Sequence, residues 1–292
     1  MSKCKHKTTT TSNICTHLID DDICKLPAYF KCVEKVPVLS YSGMNNFMKC
    51  PRLYKLSNFD GWQLKWERLS DALKIGSWVD SKLTSSKCRC DNESIWLVKA
   101  QAMLRGVRKF APIDLDSFDC QVKMVVNLGE FKIQGYIDFV HKNLPFFMDL
   151  KCSTRVQYYS NKYWVEDQMG TYFMHDDKLK YMYMYIVKTP ELRLGVNESL
   201  EDYRQRCYDD MKNRTDFYFH KVKFLKREFD IEGLKRRYVW LAGQIKDCMQ
   251  ADYWYQDKTQ CIGKWKCDMI QACESEGISL RLYEKREKKM SV

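Results

Sequence analysis

The chain has 292 residues, 45% of them hydrophobic, enough for one large domain or two small ones with a sizeable core. Its 49 basic and 38 acidic side chains leave a formal charge of +11, which favours a polyanionic partner, nucleic acid or an acidic membrane surface, with a solvated basic surface as the plain alternative. No apolar run approaches the roughly 20 residues that span a bilayer and no export signal is evident, so the 14 cysteines read as buried thiols, metal ligands or reactive groups rather than disulfides.

Residues 1–36 are polar, rich in Thr and Lys, and predict a flexible N-terminal arm; Cys4, His6, Cys15 and His17 there follow no strong zinc spacing. From Val38 the pattern firms. "LSYSGMNNFMKCPRLYKL" (39–56) predicts a helix with Ser42 as N-cap and Met44, Phe47 and Met48 on one face, ended or bent at Pro51. Residues 70–83 predict a second helix, with Leu73, Ile75, Val79 and Leu83 apolar, and residues 93–110 a third with a basic polar face. Between them, Cys88 and Cys90 fall in a polar connection. The period then changes: 119–129, 131–140 and 145–152 read as three consecutive antiparallel strands. A helix over 164–175, strands over 181–188 and 215–225, and a long amphipathic helix over 229–250 follow, and residues 276–292 read as a basic C-terminal tail. Helices, then a sheet, then alternation predict an α/β fold with a mixed sheet.

The stretch "GYIDFVHKNLPFFMDLKCST" (135–154) places Asp138, Asp149 and Lys151 in segments that otherwise read as buried strands. Alternation puts Asp149 and Lys151 on one face, and Asp138 from the adjacent strand can join them. Two ionised carboxylates at one sheet end repel unless a cation sits between them, and a hard divalent ion with oxygen ligands, Mg²⁺ or Mn²⁺, is the economical choice. A lysine in that field can orient or deprotonate a water or stabilise charge on a phosphate. The plain alternative is a turn-capping aspartate and a solvated pair on an edge strand.

Five segments in order resemble a known family. "SYSGMNNFMKCPRLY" is similar to its S-x-x-x-x-F-x-x-C-P-x-x-Y opening at Ser42, Phe47, Cys50, Pro51 and Tyr54. "IGSWVD" falls where it has a Gly-x-x-x-His helix, "GYIDFV" matches G-x-(I/L)-D, "FMDLKCS" matches (D/E)-x-K-(T/S), and "QMGTY" matches Q-x-x-x-Y. Over roughly Val38 to Cys273 the chain resembles the PD-(D/E)XK nucleases, in their RecB-like exonuclease branch with a four-cysteine iron–sulfur cluster, the type of AddB and the CRISPR-associated four-cysteine nucleases.

The resemblance implies a restriction-endonuclease-like core, a central mixed β-sheet flanked by helices, spanning 37–275 with its N- and C-terminal ends stapled by a cysteine cluster. It implies Asp138 and Asp149 as metal ligands, a further ligand from the Leu150 carbonyl, and Lys151 serving the attacking water. Gln168 and Tyr172, four apart on one helix face, would place the nucleic-acid strand. Asp80 stands where the family has a metal-binding histidine; it is either a harder oxygen ligand that tilts preference toward Mg²⁺ or a surface residue of its helix. Cys261, Cys267 and Cys273, at six-residue intervals, converge only from a loop-rich segment, which Gly263 permits. The resemblance adds Cys50 as the fourth thiolate of a [4Fe–4S] cluster; zinc and simple buried thiols stay open, because the first cysteine gap is wider than the branch usually has. Lys178, Lys180, Lys235, Arg236 and Arg237 are candidates for phosphate contact.

The sequence thus reads as a metal-dependent DNA exonuclease acting on single strands or free ends. The resemblance places it in the cytoplasm of a prokaryote or phage-infected cell, alongside recombination or replication proteins and away from membranes. The alternative is a catalytically inactive nucleic-acid-binding protein that keeps the fold and the metal staple.

Overall fold

In the computed structural model, which describes residues 18–19, 23–24, 38–84, 94–111, 113–261, 267–275 and 277–286, Ser40 rather than Ser42 caps the first helix. Its side chain accepts a hydrogen bond from the Gly43 amide at 3.1 Å, and α1 runs Tyr41–Lys49 with Met44 and Phe47 buried. Met48, expected on that face, is exposed. Cys50 is extended, and Pro51, with no amide to lose, begins the next helical turn, Pro51–Tyr54. The polar N-terminal arm, Cys88 and Cys90, Gly263 and the last residues of the tail lie outside the described residues, apart from an antiparallel pairing of Leu18–Ile19 with Ile23–Cys24.

Five strands form the central sheet in chain order: β1 (Phe118–Leu128), β2 (Phe131–His141), β3 (Phe146–Ser153), β4 (Tyr181–Lys188) and β5 (Phe219–Leu225). The first three pair antiparallel as expected, β3 and β4 pair parallel, and β5 returns antiparallel to β4, so the sheet is mixed. A parallel neighbour demands a crossover, supplied here by the turn Val156–Ser160 and helix α4, Lys162–His175.

Helices cover both faces. Helices α1, α4 and α6 (Ile231–Ala251) pack over Ile133, Phe147, Met182, Met184 and Ile186. Helices α2 (Asp71–Thr84) and α3 (Ile95–Phe110) pack over Phe139, Met148, Leu150, Tyr185 and Val187. Strand β3 therefore buries alternate residues in opposite layers, which explains its continuous apolar run. Gly170 lets α6 close on α4: a Cβ there would meet Leu234 Cδ2 at 2.6 Å.

Further departures from the expected elements are local. Thr215–Tyr218 is a helical turn and the strand starts only at Phe219. Leu73 of α2 is exposed while Trp78 is buried in its place. Helix α5 (Leu200–Asn213) was not anticipated; it is capped by Ser199, carries Glu201 and Asp202 in its first turn, and buries Tyr203, Cys207, Tyr208 and Met211. Finally, Trp62–Leu64 pairs antiparallel with Tyr283–Lys285, which fastens the C-terminal segment to the chain just after α1. Leu56, Met269, Ala272 and Tyr283 form a small core beneath this ribbon.

Candidate active site

The site begins where the sheet comes apart. The ladder between β2 and β3 holds only two pairs, Phe139↔Met148 and Val140↔Phe147. Beyond them the Asp138 carboxylate takes over: Oδ2 accepts from the Leu150 amide at 3.2 Å. Its other oxygen accepts from the Gln121 side chain at 3.4 Å. Gln121 reaches it from a left-handed backbone conformation, φ 51°, that interrupts β1.

Asp149 is completely buried on the Phe147 side of β3. Its Oδ2 lies 2.5 Å from the Lys151 ammonium, as the shared face predicts, and no hydrogen-bond donor reaches Oδ1 among the described residues. Asp80, from α2 in the opposite layer, also has a buried oxygen, Oδ1, without a donor. Buried carboxylate oxygens left this way are costly and rare.

The charges feel one another. Burial first, then the Asp149 charge, raises the Asp138 carboxyl from 3.8 to about 7, with Asp80 adding and Lys151 opposing. Burial and Asp149 also raise Asp80, against the pull of Lys151. For Lys151, burial works against the ammonium, but the attraction of Asp149 and Asp138 outweighs it and the pKa rises. The amine is therefore held charged at neutral pH. Burial, then Asp80, pushes the neighbouring Cys152 thiol up to about 12.

Gln168 and Tyr172 meet as their spacing implies, the amide donating to the phenol oxygen at 2.9 Å. Burial and then the Asp149 charge raise the Tyr172 phenol, so α4 does border the carboxylates. Leu150 offers its amide to Asp138 and turns its side chain into the α2–α3 layer. Among the described residues, no three His, Cys, Asp or Glu side chains stand at metal-ligating spacing. The three carboxylates are thus electrostatically coupled without forming a closed cage, and Lys151 supplies the countercharge.

Two neighbours, Tyr41 and Gln121, escaped the sequence. Tyr41 of α1 is raised by burial and by Asp167, and it also feels Lys151, Arg237 and Asp149. Arg237, a candidate phosphate contact, is ion-paired to Asp167, which ties α6 to α4. Nothing in the sequence marks Gln121; Tyr41 sits one residue before the first motif's serine and could have been noticed there.

The four cysteines line one groove of about 1630 Å³, which also reaches Cys152 to Arg155 at the end of β3 but is not lined by the three carboxylates. Cys50 Sγ accepts from the Asp257 amide at 3.3 Å, and Cys261 Sγ donates to the Asp257 carbonyl at 3.7 Å. Burial raises the Cys267 and Cys273 thiols, and the charges of Cys50 and Cys261 raise both further. Arg52, hydrogen-bonded to Cys273, opposes that rise. The segment between Cys261 and Cys267 is outside the described residues.

No family model and no curated protein matches the sequence. Among solved structures the chain is similar to a provisionally assigned exonuclease from Eubacterium rectale, 17% identical with a TM-score of 0.41, covering 62% of this chain and 80% of that one. It is also similar to a phage-related exonuclease from Haemophilus somnus 129PT, 16% identical with a TM-score of 0.40, covering 74% of this chain and 96% of that one.

Proposed function

We propose that this chain is a metal-dependent deoxyribonuclease, of exonuclease type, that hydrolyses phosphodiester bonds at Asp138, Asp149 and Lys151. One observation carries the reading: Asp149 is fully buried with an unpartnered oxygen, beside a lysine held charged and a carboxyl raised to about 7. A set of this kind is unfavourable for an apolar core and favourable for drawing in a cation.

The donor chemistry suits a hard divalent ion, since Asp149 and Asp80 both offer buried oxygens without a donor, and binding would draw the carboxylates closer than they stand. Asp138, Asp149 and the Leu150 carbonyl would hold Mg²⁺ or Mn²⁺, with Asp80 in place of an imidazole. When bound, such an ion supplies a polarised phosphoryl oxygen and a more acidic water. Lys151 would stabilise the charge that grows on the phosphate or assist removal of the attacking water's proton. Gln168 and Tyr172, one hydrogen-bonded unit on α4, orient the strand beside it. The four cysteines are assigned to a [4Fe–4S] cluster, with zinc as the other candidate, on their common groove and mutual electrostatic influence. Oxygen-free purification followed by visible absorption and iron analysis decides that assignment, and an iron-free, colourless protein removes the cluster.

The alternative, a nucleic-acid-binding protein without catalysis, draws on Asp80 at the histidine position and on the open arrangement of the carboxylates. Labelled single- and double-stranded DNA incubated with Mg²⁺ or Mn²⁺ separates the two. The parent should shorten strands from their ends, and Asp149→Ala and Lys151→Ala should each lose about 100-fold or more in rate. DNA binding without metal-dependent cleavage, or variants as active as the parent, supports the binding protein instead.

A further inference from the structure

Away from the carboxylates, a pocket of about 540 Å³ opens where α2, α3 and α5 meet. Its lining includes Trp78 of α2, Gln101, Arg105, Arg108 and Lys109 of α3, and Tyr208 of α5, so three of its side chains are cations and none is acidic. Arg105 is anchored: its guanidinium carbon lies 3.7 Å from the Tyr208 ring centroid, and one nitrogen donates to Gln205 Oε1 at 2.8 Å. Arg108 and Lys109 are exposed, with no ion pair or hydrogen bond among the described residues. The partial negative charge at the end of α3 accounts for basic residues in its last turn. It does not account for Arg105 a turn earlier, nor for Lys82 of another helix, whose ammonium sits 5.6 Å from the Trp78 centroid.

The aromatic rings here are already covered, Tyr208 by Arg105 and Trp78 by Lys82. What the pocket offers is therefore positive charge and N–H donors rather than a stacking surface. Its ligand chemistry is a phosphate and not a base. Trp78 and Asp80 are two positions apart on α2, so they point about 200° from each other, and roughly 10 Å of helix separates the pocket from the carboxylates. One phosphate cannot occupy both places.

We infer that this pocket is a second nucleic-acid contact, which grips the phosphodiester backbone away from the bond at the carboxylates and does so without regard to sequence. The proposal takes the identity of the polymer from the function proposed above. Its test needs no cleavage.

The full chain in EDTA is titrated with fluorescein-labelled oligothymidylate, and the affinity is followed against salt. Arg108→Ala/Lys109→Ala should weaken binding by about tenfold and flatten the logarithmic salt slope by about 1.4, two phosphate contacts' worth for a single strand. Arg108→Gln and Lys109→Gln alone should each give about half the slope change, which guards against a double variant that fails to fold. Lys123→Ala/Lys132→Ala removes the same charge from two exposed lysines on the β1–β2 hairpin and should leave the slope near that of the parent. Repeating the titration with the oligodeoxyadenylate duplex tells which form is held; a slope loss in either form supports the site. An unchanged slope in both forms, or an equal loss in the hairpin control, overturns it. Asp149→Ala, which abolishes cleavage under the nuclease reading, should retain the slope difference, so the two ideas fail separately.

Discussion

Asp138 does two jobs with one carboxylate. It replaces a backbone acceptor for the Leu150 amide, and it shares the field of Asp149, which leaves it at about 7. A carboxyl raised above its unfolded value of 3.8 favours the folded state while it is protonated. That contribution is complete below about pH 4 and is lost as pH rises through 7. Three units correspond to roughly 4 kcal/mol. Asp138→Asn keeps the acceptor for Leu150 and removes the charge. In EDTA it should be more stable than the parent at pH 8 by an amount of that order, and the gain should fade toward pH 4, as measured by urea unfolding across pH. A constant difference at all pH values contradicts the assigned environment. The half-buried Cys152 thiol, pushed up to about 12 and so almost wholly protonated, should react only slowly with iodoacetamide in the folded protein at pH 8 and faster once the chain is unfolded.

Helix α1 shows how far local rules reach. Its stop at Pro51 was legible, because proline lacks the amide an interior helical turn needs, and so were Met44 and Phe47 of its apolar face, though not the exposure of Met48. Its start was not, since Ser40 and Ser42 are equal candidates by type and only the geometry of the entering chain chooses between them. Ser40→Ala should cost about 1 kcal/mol in denaturant unfolding, and Ser42→Ala a few tenths. The same contrast holds elsewhere. Asp149 and Lys151 on one strand, and Gln168 and Tyr172 on one helix, follow from period alone, and the structure joins each pair. Gln121 meets Asp138, and Arg237 meets Asp167, through tertiary contacts that no period encodes. Helix α5 did carry a signal, with Tyr203, Cys207, Tyr208 and Met211 at helical spacing, but its many charges hid so narrow a stripe.

At the scale of the whole molecule, the C-terminal segment is held to the chain that follows α1 by a fastening between distant parts of the sequence. Trp62–Leu64 pairs with Tyr283–Lys285, and Tyr283, almost wholly buried, donates its hydroxyl to the Asp268 carbonyl at 2.9 Å beside Cys267. Tyr283→Ala should cost about 3 to 5 kcal/mol, whereas Tyr283→Phe, which keeps the ring, should cost about 1 kcal/mol, both read by denaturant unfolding. An alanine variant as stable as the parent contradicts a fastening role. Gln63 and Glu284, hydrogen-bonded across this ribbon, are 221 positions apart. On the ribosome, then, Leu56 and Trp62 emerge early and must wait, uncovered, until nearly all the intervening polypeptide has been synthesised. The nascent chain's need for a chaperone should be greatest in that interval and should end as residues 283–285 leave the exit tunnel.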